Sequence, residues 1–227
     1  MNRWLPDELA LAGPEHVDPD AVAVYEQKAG FDPESDLALL RRHGLGSDST
    51  VVDLGAGTGV FAFAAARVAQ RVVAVDASPA MVDTWQSKSA PNVEHAHAGF
   101  LTYEHTGAPA DFVYTRNALH HLPDFWKAVA LTRIASMLRP GGVLRLRDLV
   151  YSFEPGQADA VLEAWIGSGG NDSSVEWTRG ELRAHVRDEH STFGWILEGM
   201  LQRAGFDIED ARYDESRIYA AYVAIRR

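Results

Sequence analysis

The chain has no cysteine at all among its 227 residues. Disulfides, thiolate nucleophiles and cysteine-based zinc or iron–sulfur sites are therefore excluded. Basic residues are also short: 21 Lys and Arg stand against 32 Asp and Glu, a net charge of -11. A chain so acidic lacks the broad basic footprint that nucleic acid requires, and its field disfavours anionic polymers. No apolar run is long enough to span a bilayer, and the N-terminus, Met1 to Glu8, carries no apolar signal core. A cytoplasmic protein with no membrane or nucleic-acid partner is the expectation; nothing in the sequence speaks to its oligomeric state.

What is present is a globular composition, 46% hydrophobic with six Trp and nine Phe. No internal repeat or low-complexity segment is visible, and the length suits one α/β domain. Apolar runs at 50–54, 71–76, 92–97, 111–115 and 143–150 alternate with helical patterns at 59–69, 79–88 and 124–138. That alternation predicts a Rossmann-like, doubly wound, mostly parallel sheet with helices on both faces. Asp18-Pro19 and Asp32-Pro33 open two earlier helices, Thr178-Arg179-Gly180-Glu181 is a capping box, and a helix from Phe193 to Ala204 precedes an antiparallel strand pair at 207–213 and 218–225. A seven-stranded sheet results.

The richest segment is Val51-Val52-Asp53-Leu54-Gly55-Ala56-Gly57-Thr58-Gly59. An apolar strand ends in a carboxylate, three glycines follow, and a helix begins with its free N–H groups and positive dipole end aimed back at the loop. Asp76 ends the next strand 19 residues after Gly57. A carboxylate about 20 residues beyond such a loop is placed to accept hydrogen bonds from a ribose. That spacing suits a nicotinamide dinucleotide and S-adenosylmethionine alike. The loop separates them: an anion at Asp53 disfavours a pyrophosphate and favours the ammonium of a methionine moiety.

Four pieces, DLGAGTG at 53–59, VDASPAM at 75–81, DFVYTRNALHHLPD at 111–124 and LRPGGVLRLRD at 138–148, stand in an order and spacing that resembles the class I S-adenosylmethionine-dependent methyltransferases, specifically the small "type 11" group. The resemblance covers less than half of the chain. It implies backbone of Gly55, Ala56 and Gly57 along the methionine and ribose, Asp53 near the amino group, Asp76 on the ribose hydroxyls, and Ala77 and Met81 beside the adenine. It also implies an acid after the third strand; here Ala98-Gly99-Phe100-Leu101 offers none, leaving Gly99 and Phe100 to border the ring. Asn117, after the fourth strand, falls at the methionine end.

Acid–base help is expected from the pair His120-His121, since imidazole titrates near neutrality. One of the two is expected to be structural and His120 to face the pocket. No metal is expected, because no carboxylate stands at ligand spacing beside them. Tyr25, Arg147 and Tyr151 are candidates for orienting substrate, while Asp188-Glu189-His190 reads as a charged helix end. The chain divides into N-terminal helices (1–45) as a partial lid, a cofactor-binding core (46–150), a substrate lid (151–192), and a closing helix and strand pair (193–227). The function predicted is methyl transfer from S-adenosylmethionine to a small molecule, releasing S-adenosylhomocysteine, chiefly by positioning. The alternatives are an NAD-dependent oxidoreductase and a non-catalytic S-adenosylmethionine-binding module.

Overall fold

The computed structural model describes residues 4–13, 16–88 and 90–227. Its sheet contains β1 (Thr50–Leu54), β2 (Arg71–Asp76), β3 (Val93–His97), β4 (Ala110–Arg116), β5 (Leu138–Tyr151), β6 (Thr192–Phe193), β7 (Phe206–Tyr213) and β8 (Tyr219–Arg226). The order is β3-β2-β1-β4-β5-β8-β7, with β6 added beside the end of β5. The pairs among β1 to β5 are parallel, and β8 joins β5 and β7 antiparallel. The order reverses between β1 and β4, so their carboxyl ends open the crevice in which such sheets bind ligands. The two-residue β6 is an eighth strand, too short to show any alternation in the sequence.

The helices are α1 (Glu8–Leu11), α2 (Pro19–Ala29), α3 (Glu34–Arg42), α4 (Val60–Ala65), α5 (Pro79–Thr84), α6 (Asp124–Met137), α7 (Ala158–Gly167), α8 (Arg179–Asp188) and α9 (Gly194–Arg203). Asp18 caps α2 through Asp20 N, Ser78 caps α5 through Met81 N, and Thr178 with Glu181 closes the capping box of α8. Two helices are shorter than their sequence patterns. The first ends at Ala65 and continues in turns, and the second tightens into a 3-10 turn at Trp85–Ser87. The Pro140-Gly141-Gly142 stretch does not separate a helix from a strand cleanly. Leu138 already pairs with Ala110, and the register jumps before Phe112 meets Val143. Among the described residues no helix is long and apolar enough to cross a membrane.

Strand alternation divides the core. Val52, Leu54, Val73, Val75, Leu144 and Leu146 pack toward α6 and α9, while Val51, Val72, Ala74, Phe112 and Val143 pack toward α3 and α4. A third cluster, built on Leu149, Phe153, Val161, Trp165 and Leu182, joins α7 and α8 to the end of β5. The α3 face also holds a buried charge. Asp36, 3% exposed, accepts hydrogen bonds at 2.8 Å from Tyr114 Oη and from Arg145 Nε. Removing one partner of such a buried pair strands the other without solvent. Asp36→Ala is therefore expected to cost about 3–5 kcal/mol, read as a lower urea midpoint at unchanged slope.

Candidate functional site

Two cavities meet at the crevice. The first lies over the glycine loop. Gly55, Gly57, Asp76 and Ala77 form one side, and Met81, Gly99, Phe100 and Asn117 line it as well. Asp53 and Ala56 line an adjoining recess shared with Gly55, Gly57 and Asn117. Each of the ten residues singled out for the cofactor lines one or both of these neighbouring recesses.

The loop is shaped by close approach. Gly55 has φ +71, and a Cβ there would lie 2.4 Å from Ala118 Cβ. Asp76 fastens the loop: its Oδ2 accepts from Gly57 N and its Oδ1 from Ser78 N, both at 2.8 Å. Each oxygen keeps a lone pair for a ligand hydroxyl. Asp53 is fully buried, and its Oδ2 has no hydrogen-bond partner. Burial, then the charge of Asp76, pushes the Asp53 carboxyl well above its ordinary range. A ligand ammonium would relieve that cost. A buried acid with an unpartnered oxygen, a glycine loop with no side chain in the way and a carboxylate with spare acceptors together fit S-adenosylmethionine.

No acid follows the third strand, but one reaches the same place from elsewhere. The Glu8 carboxylate on α1 accepts from Leu101 N at 3.0 Å and from Thr102 Oγ1 at 2.9 Å. A Cβ built on Gly99 would fall 2.3 Å from Glu8 Oε1 and 2.6 Å from Oε2. Glu8 therefore occupies the room that a side chain at position 99 would take, and it lines the cavity. Burial raises its pKa, against the hydrogen bonds from Leu101 and Thr102. No local pattern in the sequence could pair residues so far apart.

The second cavity, about 390 Å³, lies beyond Asn117 and shares His16, Tyr25, Asn117 and His121 with the first. Its far wall is apolar, with Leu149, Trp165, Trp177, Leu182 and Tyr219. Asn117 has φ 49, unusual for a residue with a side chain. It is held there by its N–H to Arg147 O at 2.8 Å and by Arg147 Nη1 donating to its side-chain oxygen. Arg147 itself lies over the Tyr219 ring and is not part of either cavity wall. Tyr151 packs among Phe153 and Phe193 and also lies outside both walls, whereas Tyr25 belongs to both.

Both histidines line the second cavity, where one had been expected to be structural. They sit on the 3-10 turn Leu119–His121, whose wider spread of successive side chains lets the cavity wrap its tip. His120 donates from its backbone N to Asp148 Oδ2 at 2.9 Å, and its Nδ1 bonds Asp148 Oδ1. Its Nε2 lies 2.8 Å from Glu189 Oε2. Burial alone would lower its pKa; the carboxylates of Asp148 and Glu189 outweigh it and hold the imidazole at about 9. His121 goes the other way. Burial, then the neighbouring His120 and His16, depress its pKa far below the ordinary value. Its Nδ1 has no hydrogen-bond partner. Glu189 and His185, one turn apart on the end of α8, complete this corner. Their i, i+4 spacing was the available sequence signal; the long separation from His120 hid its meaning.

A family model described as a methyltransferase domain matches residues 51–142. Over 154 residues the chain is 30% identical to an uncharacterized methyltransferase of Mycobacterium tuberculosis, a match covering 60% of this chain and 75% of that one. It is 35% identical over 139 residues to the cypemycin N-terminal methyltransferase of a Streptomyces species, covering 58% and 56%. The fold is similar to that of magnesium protoporphyrin IX methyltransferase from Synechocystis, solved with S-adenosylhomocysteine bound. That likeness has a TM-score of 0.62 at 17% identity and covers 97% of this chain and 93% of the other.

The position of Glu8 generates a prediction. Glu8→Ala is expected to weaken S-adenosylhomocysteine binding by about tenfold or more, the effect of one lost hydrogen bond to a charged acceptor. Adding Gly99→Asp, which returns a carboxylate to the emptied space, is expected to recover most of it. Titration calorimetry on the two variants checks both.

Proposed function

The chain belongs to the class I S-adenosylmethionine-dependent methyltransferases, and from that premise we propose that it methylates a small molecule seated in the 390 Å³ cavity. The observation that carries this reading is the shared wall. His16, Tyr25, Asn117 and His121 border both the cofactor space and the second cavity, so a molecule in one adjoins a molecule in the other. When bound, S-adenosylmethionine supplies a methyl on a sulfonium: the acceptor's lone pair forms the new bond to carbon, and the electrons of the broken C–S bond return to sulfur.

The residues contribute position and a proton acceptor. Asp53 meets the ammonium, Asp76 the ribose hydroxyls, and Glu8 the amino edge of the adenine. Asn117, fixed in its left-handed conformation by Arg147, presents its side chain at the junction. His121 lines the same junction, and its imidazole takes the proton of an acceptor hydroxyl or amine. Trp165, Trp177, Leu182 and Tyr219 favour an apolar or planar body on the acceptor. The segment 151–192, with the N-terminal helices, acts as the lid. Tyr25 meets Trp177 edge to face, and Lys28 on α2 reaches Glu181 on α8 at 2.5 Å, joining the two lid segments above the cavity. Closing them excludes water from the reacting centre.

The test is acceptor-dependent release of S-adenosylhomocysteine, followed over panels of small phenols, amines and carboxylic acids. Turnover with members of one class is expected, and His121→Ala should lower kcat by about 10²-fold or more while leaving cofactor affinity near that of the parent. Tight cofactor binding with no turnover in any class would leave a non-catalytic binding module.

A further inference from the structure

Nothing in methyl transfer requires the corner formed by His120, His185 and Glu189, yet it is among the most constrained parts of the molecule. Three ligand-type atoms, one from each residue, lie within 4.8 Å of one another. His120 Nε2 and His185 Nδ1 both turn toward Glu189 Oε2, at 2.8 and 2.6 Å. Neither contact is aligned as a hydrogen bond, and that oxygen, although buried, has no hydrogen-bond partner. Three ligand-type atoms thus converge on one point, where either a proton or a cation can sit.

The opposite edge of each ring is anchored. His120 Nδ1 bonds the buried Asp148, and His185 Nε2 lies 3.0 Å from Ser191 Oγ. A histidine held at one nitrogen by a carboxylate or hydroxyl, with the other nitrogen turned inward, is oriented as metal-ligating histidines are. Two imidazoles and a carboxylate suit first-row divalent ions such as Zn²⁺, Fe²⁺ or Mn²⁺. All three residues also line the second cavity, so coordination positions remain open on the side where an acceptor would sit.

We propose that His120, His185 and Glu189 bind one divalent transition-metal ion, and that this ion grips an oxygen of the methyl acceptor. The acceptor class is then narrowed to small molecules carrying a hydroxyl or carboxylate beside the methylated atom. This narrowing rests on the methyl-transfer reading; the ion site itself does not. The occupant competing with the ion is a proton shared between His120 and Glu189.

The experiment uses the full chain stripped with chelator and titrated with Co²⁺. One equivalent is expected to bind with visible bands of a low-coordinate nitrogen–oxygen site. Glu189→Gln and His185→Asn should each weaken binding at least ~100-fold, since outer-shell losses alone reach about that size. S-adenosylhomocysteine titrations on the same samples show whether each variant is folded. As a measurement that needs no variant, Zn²⁺ added to the parent should shift the ring-nitrogen resonances of two histidines. A spectrum that stays that of the hydrated ion, equal affinity in folded variants, or unshifted histidines in the parent overturns the proposal. If the ion fails to bind while S-adenosylhomocysteine binds and an acceptor turns over, the methyltransferase reading stands and the ion does not. If the ion binds and no acceptor turns over, the reverse holds.

Discussion

The imidazole of His120, held between Asp148 and Glu189, is the contact on which the upper half of the molecule depends. Asp148 belongs to the central strand β5, His120 to the turn after β4, and Glu189 to the end of the inserted helix pair. Three segments distant in sequence therefore meet on one ring. The joint is reinforced a few ångströms away. Lys127, 2% exposed, gives its ammonium to Asp124 Oδ1 at 2.8 Å and to the carbonyl of His190, while Thr192 Oγ1 donates to Asp124 Oδ2 at 3.1 Å. The backbone of His190 also donates to His120 O at 3.1 Å. Buried charge of this kind adds little net stability over an apolar core, but it penalises any other arrangement heavily. It fixes where the insertion returns to the sheet, at β6, and so fixes the ceiling of the larger cavity.

The two ends of the crevice treat buried carboxylates in opposite ways. Asp36, beneath the sheet, has every neighbour it needs, and its role ends with the fold. Asp53, on β1, has an oxygen with no partner at all. Buried acceptors left without a partner are few, and this one lies at the end of the strand that leads into the glycine loop. The contrast between a satisfied acid and an unsatisfied one marks the cofactor end without reference to any motif.

The cofactor half was legible because its signals are local. A glycine loop, a preceding acid and a second acid one strand later lie within a single βαβ unit, where chain connectivity alone brings them together. The helix–strand alternation from 50 to 150 was legible for the same reason. The acceptor half was not, because its residues are assembled by tertiary contacts. His120 and Glu189 meet through a helix pair whose docking rests on Trp165, Leu182 and the Lys127 joint, none of which leaves a periodic trace. Arg147 was singled out for its place at a strand end, and its contacts with the ring of Tyr219 and the side chain of Asn117 left no trace in the sequence. The four-residue α1 was invisible because a single turn has no period to detect.

That single turn has a consequence for how the protein meets its cofactor. So short a helix has no stability of its own in water. It is held by Asp7 at its cap, by Leu5 and Leu11 against the core, and by the Glu8 carboxylate in the space beside Gly99. The cavity wall beside Gly99 is therefore finished by a segment whose order rests on its tertiary contacts. Were docking of the N-terminus to accompany cofactor capture, the heat-capacity change would exceed what the ligand's own buried surface accounts for, because apolar side chains of the chain would leave water in the same step.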